Sequence, residues 1–396
     1  MAPTRSAVVV GAGVAGLAAA GALAATGWRV TLLERHDRLR AEPTALLLWP
    51  ASVAALAALG LGHGLDAIAT PVPDRGLRRP DGQWLVQPDP TSRRGMAVLV
   101  HAEDLHDALM AGLGERVEIR TGVAVRSAVP GDSPGVTDGR TIWHADLVVA
   151  ADGVDSVLRQ RVAPRSRVVS AGVTAWRAVI PWYRAPELPP DLSAGGHTLA
   201  TRGRSRGYRF FSAALGRRGA TGASSRGGRY WQAIVTGAGR PEPPEIQLGL
   251  LRRWFDGWHS PVGELLGATE PGDLVQQELR AVRPVPSRYG LPLGSGALVL
   301  LGDACHGSPE FFGLGAGLAL EDAATLAVLV RDAVPGTGLH SAVGRFGATR
   351  RPRLERVLRR SRRLAATGLV ARFGPVQARR REQAASAASN WSPPAR

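Results

Sequence analysis

SAVVVGAGVAGLAAAGALAATGWRVTLLE, residues 6–34, decides the fold. SAVVV is a short β-rich run, GAGVAG a turn, LAAAGALAATG an alanine-rich helix closing near Gly27, and RVTLLE a second strand. Both strands are apolar on either side, as a parallel sheet covered on two faces requires. Gly11, Gly13 and Gly16 stand directly after the strand and before the helix. The first permits a tight turn, the second lets the backbone approach a pyrophosphate, and the third lets helix and strand pack closely. Val14 and Ala15 complete that turn, and a phosphate would rest on the free N–H groups of the helix N-terminus. Glu34 closes the second strand eighteen positions after Gly16, with Arg35 beside it. A carboxylate there can accept hydrogen bonds from both ribose hydroxyls of an adenosine and disfavours a 2′-phosphate. The expected element is a Rossmann-type dinucleotide site.

The uncharged run over 7–25 has the length of a signal peptide or a membrane span. Its glycine spacing, and the apolar strand that follows, assign it to a buried strand and helix instead. Elsewhere composition narrows the field. The 396 residues carry 49 Lys plus Arg against 33 Asp plus Glu, a formal +16 that favours anionic ligands. All 49 of those basic residues are arginine. With no nucleic-acid motif and 5% aromatics, no specific nucleic-acid partner is expected. The run RRPRLERVLRRSRR, 350–363, reads as the solvated face of a helix, with a phosphate-rich partner or a membrane surface as the alternatives. One cysteine, Cys305, excludes an intrachain disulfide framework and most cysteine metal sites, and suits a reducing cytoplasm. A cytoplasmic monomer or homodimer with no metal is expected.

Along the chain, ASVAALAALGLGHGL (51–65) and AEDLHDALMAGLG (102–114) read as helices, and RVEIRTG (116–122) and VAVRSAV (123–129) as strands. The texture changes near residue 170. VTAWRAVIPWY (173–183), YRFFSAAL (208–215) and GRYWQAIVT (228–236) look like antiparallel strands separated by Gly/Arg/Ser-rich turns. A helix is expected around LLRRWFDGWH (250–259). A buried strand, ALVLLGDA (297–304), and a strong helix, LALEDAATLAVLVRDAV (318–334), then restore the first texture.

ADGVDSVLR (151–159) and GDACHGSPEFFGLGAGLALEDA (302–323) supply two further motifs. With GAGVAG, they give three markers in order over nearly the whole chain. The sequence resembles the FAD-dependent monooxygenases of the aromatic hydroxylase type, similar to para-hydroxybenzoate hydroxylase. The resemblance implies an α/β fold: a Rossmann-type FAD-binding domain with a parallel sheet, and an inserted, mainly antiparallel β substrate domain. Residues 1–75, 98–170 and 284–378 would form the FAD-binding domain with its C-terminal helices, 76–97 and 171–283 the substrate domain, and 379–396 a loose polar tail.

By the same resemblance, Asp303, after Gly302, would hydrogen-bond the ribityl chain of FAD. Gly313, Gly315, Ala316 and Gly317 would lie against the flavin ring, where the helix beginning near Gly315 aims amide donors at the pyrimidine side. Asp152 would lie near the diphosphate and ribityl region. Arg159 would anchor its motif or meet the nicotinamide, and Arg40 would contact the FAD phosphates. Members of the family reduce their flavin with transiently bound NAD(P)H and spend O2 on the substrate. An aromatic or polyketide-like small molecule of secondary metabolism, antibiotic biosynthesis included, is the implied substrate, to be hydroxylated or epoxidised.

Three positions depart from the family pattern. Ala102 stands where arginine is usual, Glu310 where proline is usual, and Gly317 where asparagine is common. Glu310 and His306 are the catalytic candidates: a carboxylate in the apolar loop PEFFG could act as acid or base. The departures also fit a flavoprotein of this fold that performs cyclisation, rearrangement or dehydrogenation without net hydroxylation. Trp176, Tyr208, Phe210 and Tyr230, with Arg177 and Trp231, are the substrate-face candidates, although strand alternation lets only some of them face the pocket.

Overall fold

A computed structural model describes residues 5–73, 76–88, 97–189, 192, 195–200, 207–216, 226–309, 313–366 and 391–394. The opening unit is β1 (Ser6–Val10), α1 (Val14–Ala25) and β2 (Arg29–Leu33). There follow β3 (Ala45–Leu48), α2 (Pro50–Ala58), α3 (Gly62–Ile68), β4 (Ala69–Val72), β5 (Leu77–Arg78), β6 (Trp84–Val86), β7 (Ala97–His101) and α4 (Ala102–Ala111). Next come β8 (Val117–Arg120), β9 (Ser127–Val129), β10 (Gly135–Thr137), β11 (Ile142–His144), β12 (Leu147–Ala150) and α5 (Arg159–Val162). The middle of the chain builds β13 (Arg167–Pro181), β14 (Gly196–Leu199), β15 (Arg209–Leu215), β16 (Gly228–Thr236), α6 (Pro244–Trp254), α7 (Val262–Ala268) and β17 (Val275–Arg283). It closes with β18 (Gly290–Leu293), β19 (Gly296–Leu300), α8 (Asp303–His306), α9 (Gly315–Val330) and α10 (Thr337–Ala366).

The six-stranded sheet has the order β18-β19-β12-β1-β2-β8. Its pairs are parallel except for the antiparallel edge of β18 on β19. The central strands are buried on both faces: Val8, Val9, Leu32, Val148, Val149, Leu298 and Val299 are all at most 1% exposed. That is the α/β arrangement expected from the opening sequence. A seven-stranded mixed sheet, β17-β13-β16-β15-β14-β5-β6, forms the second body. It is antiparallel apart from the short β14–β5 pair. A three-stranded antiparallel sheet, β3-β7-β4, lies against this second body.

The phase of the large sheet decides which residues face which body. Trp176, Ala178, Ile180, Phe210, Trp231, Ala233 and Val235 pack with Leu251, Phe255, Leu265 and Leu266 of the α6–α7 region. The alternate residues, including Phe211, Ala213, Leu215, Tyr230 and Val179, pack with Ala45, Leu47 and Leu99 of the β3–β7 layer. One face of the sheet is therefore covered by helices, and the other looks toward the parallel-sheet body.

Some local expectations shift. The helix expected around 250–259 ends at Trp254, because Pro244 starts it earlier and a left-handed Gly257 follows it. Residues 51–65 form two helices, α2 and α3, broken at the left-handed Gly60. The expected strand over 123–129 is shorter, with only Ser127–Val129 paired. Of the expected loose tail only 391–394 are described, and there Trp391 packs against the main core. An indole at that position gains more by covering apolar surface than by staying in water. Among the described residues no helix is long and apolar enough to cross a membrane.

Candidate active site

Turn geometry at the N-terminus follows the glycine logic. A side chain at Gly11, whose φ is +100°, would press on the backbone of Ala151. One at Gly16 would overlap the Gly11 carbonyl. Nothing lies within 4 Å of a Cβ built at Gly13, so that face of the turn is open. No side chain caps α1, and its first turn holds no acidic residue. Its orphan N–H groups and dipole are left for an anion. The Glu34 carboxylate is fixed at both oxygens: Ala12 N–H donates to Oε2 at 2.8 Å and His36 N–H to Oε1 at 3.0 Å. Arg35 and Arg40 are exposed near that end.

The second motif leaves β12 as Ala151–Asp152–Gly153. Asp152 Oδ2 accepts from Val157 N–H at 3.0 Å, while Oδ1 is buried without a partner. Burial pushes the Asp152 carboxyl above the usual range, although hydrogen bonds from Ser156 and nearby backbone oppose it. Such an orphan acceptor calls for a donor from a bound group. Arg159, 4% exposed, donates to the carbonyls of Ala304 at 3.1 Å and Val154 at 2.7 Å. It ties the second motif to the third.

The third motif starts at Gly302, with φ +57°. A Cβ there would meet those of Ala15 and Ala319, so β19, α1 and α9 converge on this point. Asp303 is accessible to solvent yet enclosed by protein on its other sides, which raises its pKa by desolvation. A side chain at Gly313, left-handed at φ +63°, would press on Leu47 of β3. Gly315 is the first residue of α9, half-buried Ala316 follows, and Gly317 abuts Ser52 of α2 so closely that a Cβ would overlap its hydroxyl. The space of the asparagine common at this position is thus taken by Ser52. Ala102 is the first residue of α4 and is 5% exposed.

The catalytic and substrate candidates divide. Glu310 lies outside the described residues. His306 is 1% exposed, with Nε2 at 2.7 Å from Asp322 Oδ2, in a sealed polar cluster rather than on an open face. That geometry speaks for a structural part, the one of the two roles that the sequence already favoured for a histidine of this motif over that of proton carrier. Trp176 and Phe210 lie on the helix-covered face, not on the face toward the parallel-sheet body. Trp176 donates Nε1–H to Gln247 Oε1 at 2.9 Å, and Phe210 stacks on Trp231 with ring centroids 5.5 Å apart. Tyr208 packs against Trp254 and Phe255 on that same side. The cause is strand phase, which a sequence leaves open by one residue. Phe210 keeps one edge on a separate cavity of about 170 Å³ at the outer edge of the sheet, together with Arg78, Trp84, Thr198 and His259.

Tyr230 alone of the four lies on the face toward the parallel-sheet body. Beside it lie Arg177, which the sequence reading included, and Gln232 and Arg209, which it missed. Gln232 pairs with Phe211 and Arg177 in the ladder, and Arg177, 5% exposed, donates to Gln277 Oε1 at 2.5 Å. Arg209 shares this face, and burial pushes its pKa down to about 10. Leu47 joins the two halves of the site, touching Gly313 on one side and the Phe211–Tyr230 cluster on the other. Among the described residues no group of His, Cys, Asp or Glu could hold a metal ion.

The open turn at Gly13, the uncapped α1, the fixed Glu34 and the orphan oxygen of Asp152 all fit FAD. Known proteins agree. A family model described as an FAD binding domain matches residues 4–361. 3-Amino-4-hydroxybenzoate 2-monooxygenase of Streptomyces cremeus is 33% identical over 371 residues, covering 90% of this chain and 86% of that one. 2-Heptyl-3-hydroxy-4(1H)-quinolone synthase of Pseudomonas aeruginosa is 30% identical over 340 residues, 81% of this chain and 80% of that one. In fold, the chain is similar to Klebsiella pneumoniae HpxO complexed with FAD and uric acid, at TM-score 0.75 and 23% identity over 98% of this chain and 93% of that one. The chain is a member of the FAD-dependent monooxygenase family of the aromatic hydroxylase type.

Proposed function

We propose that this enzyme hydroxylates or epoxidises an aromatic or polycyclic small molecule of secondary metabolism, with NAD(P)H as transient reductant and O2 as co-substrate. The observation that carries the reading is the meeting at Leu47 of the glycine segment before α9 with the Phe211–Tyr230 face of the large sheet. FAD bound there supplies two-electron redox chemistry toward NAD(P)H and O2.

The chain's own residues hold and shield. Glu34 offers its remaining lone pairs to the adenosine ribose, Asp152 and Asp303 take donors from the middle of the cofactor, and the α9 N-terminus presents N–H groups to the ring. The cluster of Ala45, Leu99, Phe211, Ala213, Leu215 and Tyr230 excludes water, which strengthens every polar contact inside. Arg177 and Arg209 add positive charge to that face, which suits a substrate with an anionic or strongly polarised oxygen. The relatives' named compounds, an aminohydroxybenzoate and an alkyl hydroxyquinolone, are planar rings of that kind. Glu310 enters as an acid–base group on its sequence position alone. If it moves a proton, E310Q keeps FAD and loses about a hundredfold in turnover.

The test is a screen of oxygenated aromatic and polycyclic acids, phenols and quinolones with the FAD-loaded protein. NAD(P)H use, O2 use and product mass are recorded together. The reading requires a product heavier by one oxygen atom, formed with matched consumption of reductant and O2. A product of unchanged mass, or one lighter by two hydrogens, would replace it with rearrangement or dehydrogenation.

A further inference from the structure

We propose that Arg350 is a positioning residue for the cofactor site, acting through Asp322 on Gly302 and His306. Asp322 of α9 is 1% exposed and uses both oxygens. Oδ2 accepts from Gly302 N–H at 3.0 Å and lies 2.7 Å from His306 Nε2. Oδ1 accepts from Arg350 Nε at 2.7 Å. Arg350, also 1% exposed, donates from Nη1 to Glu321 Oε2 at 2.8 Å and from Nη2 to the Leu318 carbonyl at 3.3 Å. Arg353 closes the far side of Glu321 at 2.6 and 2.5 Å.

The geometry sets α8 between two clamps. Asp322 holds the residue before Asp303 and the residue that ends the helix, while Arg159 holds the Ala304 carbonyl. The backbone around Asp303, the group offered to the ribityl chain, is thereby held on both sides. The Asp322 carboxylate can do this only while it is charged. Burial pushes its pKa up, but Arg350 and His306 together outweigh burial and hold it below the ordinary range. A carboxylate stranded there without Arg350 would be an uncompensated buried charge.

Arg350 belongs to α10, so the C-terminal helix is fastened to the cofactor loop through one carboxylate. Coupling of this kind is reciprocal: what steadies the loop steadies the helix, and a ligand on the loop protects the helix. The proposal rests on FAD binding at this site. Titration of the unmodified protein with FAD tests that premise separately.

The experiment compares unmodified protein with Asp322→Asn, Arg350→Lys and Arg353→Gln. The readouts are the FAD dissociation constant and amide hydrogen exchange across 337–358, with and without FAD. Lysine keeps the charge but cannot bridge Asp322, Glu321 and a carbonyl together. D322N and R350K are expected to weaken FAD by about tenfold or more, a loss of about 1.4 kcal/mol. R353Q, which loosens the same helix while sparing the Asp322–Gly302 contact, shifts FAD affinity by less than about threefold. FAD should slow exchange in the helix of the unmodified protein and of R353Q, but not of R350K. Unaltered FAD affinity in R350K, or equal losses in R350K and R353Q, would overturn the proposal, and so would exchange in the helix that ignores FAD. R350K carries the decision even if D322N does not fold.

Discussion

Glu34 accepts from the Ala12 N–H of the glycine turn and from the His36 N–H of its own loop, so it orders the turn and, in the proposed reading, holds the ribose with its remaining lone pairs. Each charge-assisted hydrogen bond is worth about 1.5–3 kcal/mol. Glu34→Ala is therefore expected to weaken FAD about 10- to 100-fold in a fluorescence titration while far-UV circular dichroism stays the same; an unchanged titration removes Glu34 from the site. Asp152 makes the opposite kind of statement. Its folded pKa is raised, chiefly by burial. Its stabilising contribution is thus present below the unfolded value and is lost as pH rises through the folded one. At neutral pH the cofactor-free chain carries the cost of a buried charge. Asp152→Asn should then raise the melting temperature of the cofactor-free protein by about 1–2 °C at pH 7. The gain should shrink as pH falls toward 4, and FAD affinity should fall. A gain that grows in acid would contradict the burial argument. Asp152 is read only from its motif's resemblance to the family, whereas the glycines and Glu34 are legible from the strand–turn–helix–strand order around them. Arg350 is not. It opens a run that reads as a solvated face, and its burial comes from Glu321 and Asp322, which are distant in sequence.

Helices α2 and α9 approach closely because Gly317 has no side chain and Ser52 fills the gap. Restoring bulk there forces the two helices apart. Gly317→Ala should destabilise the protein by about 1–3 kcal/mol, the usual cost of overpacking. Ser52→Ala in the same chain should recover part of that loss, since the hydroxyl is the atom in the way. Chemical denaturation of the two single variants and the double variant measures the coupling. Strictly additive losses would mean that the contact is not what limits residue 317. At the level of elements the sequence gives strand and helix types well, since they follow periodicity and caps. It leaves the phase of the middle strands open. Trp176 and Phe210 are as aromatic as Tyr230 and Phe211, and only cross-strand register sends the first pair under the helices and the second toward the cofactor body.

At the scale of the molecule, the two bodies are joined around the site by polar links at its rim. Thr70 Oγ1 of β4 accepts from Gly216 N–H at 2.7 Å, and Arg280 of β17 pairs with Asp155 at 2.7 and 2.9 Å. The densest link is Arg226, just before β16, which reaches α4. It lies 2.9 Å from Glu103, 2.6 Å from Asp104 and 2.8 Å from Asp107. Its hydrogen bonds to Asp104 and Asp107 raise its pKa. Those carboxylates suit the N-terminal half of a helix, but they repel one another, and the Asp104 side chain is only 5% exposed. Arg226 offsets that repulsion while tying the large sheet to α4. Arg226→Met keeps the apolar stem and removes the charge. Arg226 is 40% exposed, so solvent screening limits the loss to about 1–2 kcal/mol. The loss should be largest at low ionic strength and diminish as salt screens both the attraction and the repulsion. Asp104→Asn placed in the Arg226→Met background should cost less than it does alone, because the neutral side chain no longer needs a counter-charge. Melting temperatures of the four proteins at low and high salt give the coupling directly. A coupling near zero at low salt would show that the three carboxylates and Arg226 merely share a surface, and the joint between the two bodies would then rest on the Leu47–Phe211–Tyr230 packing with the Thr70–Gly216 and Arg280–Asp155 links.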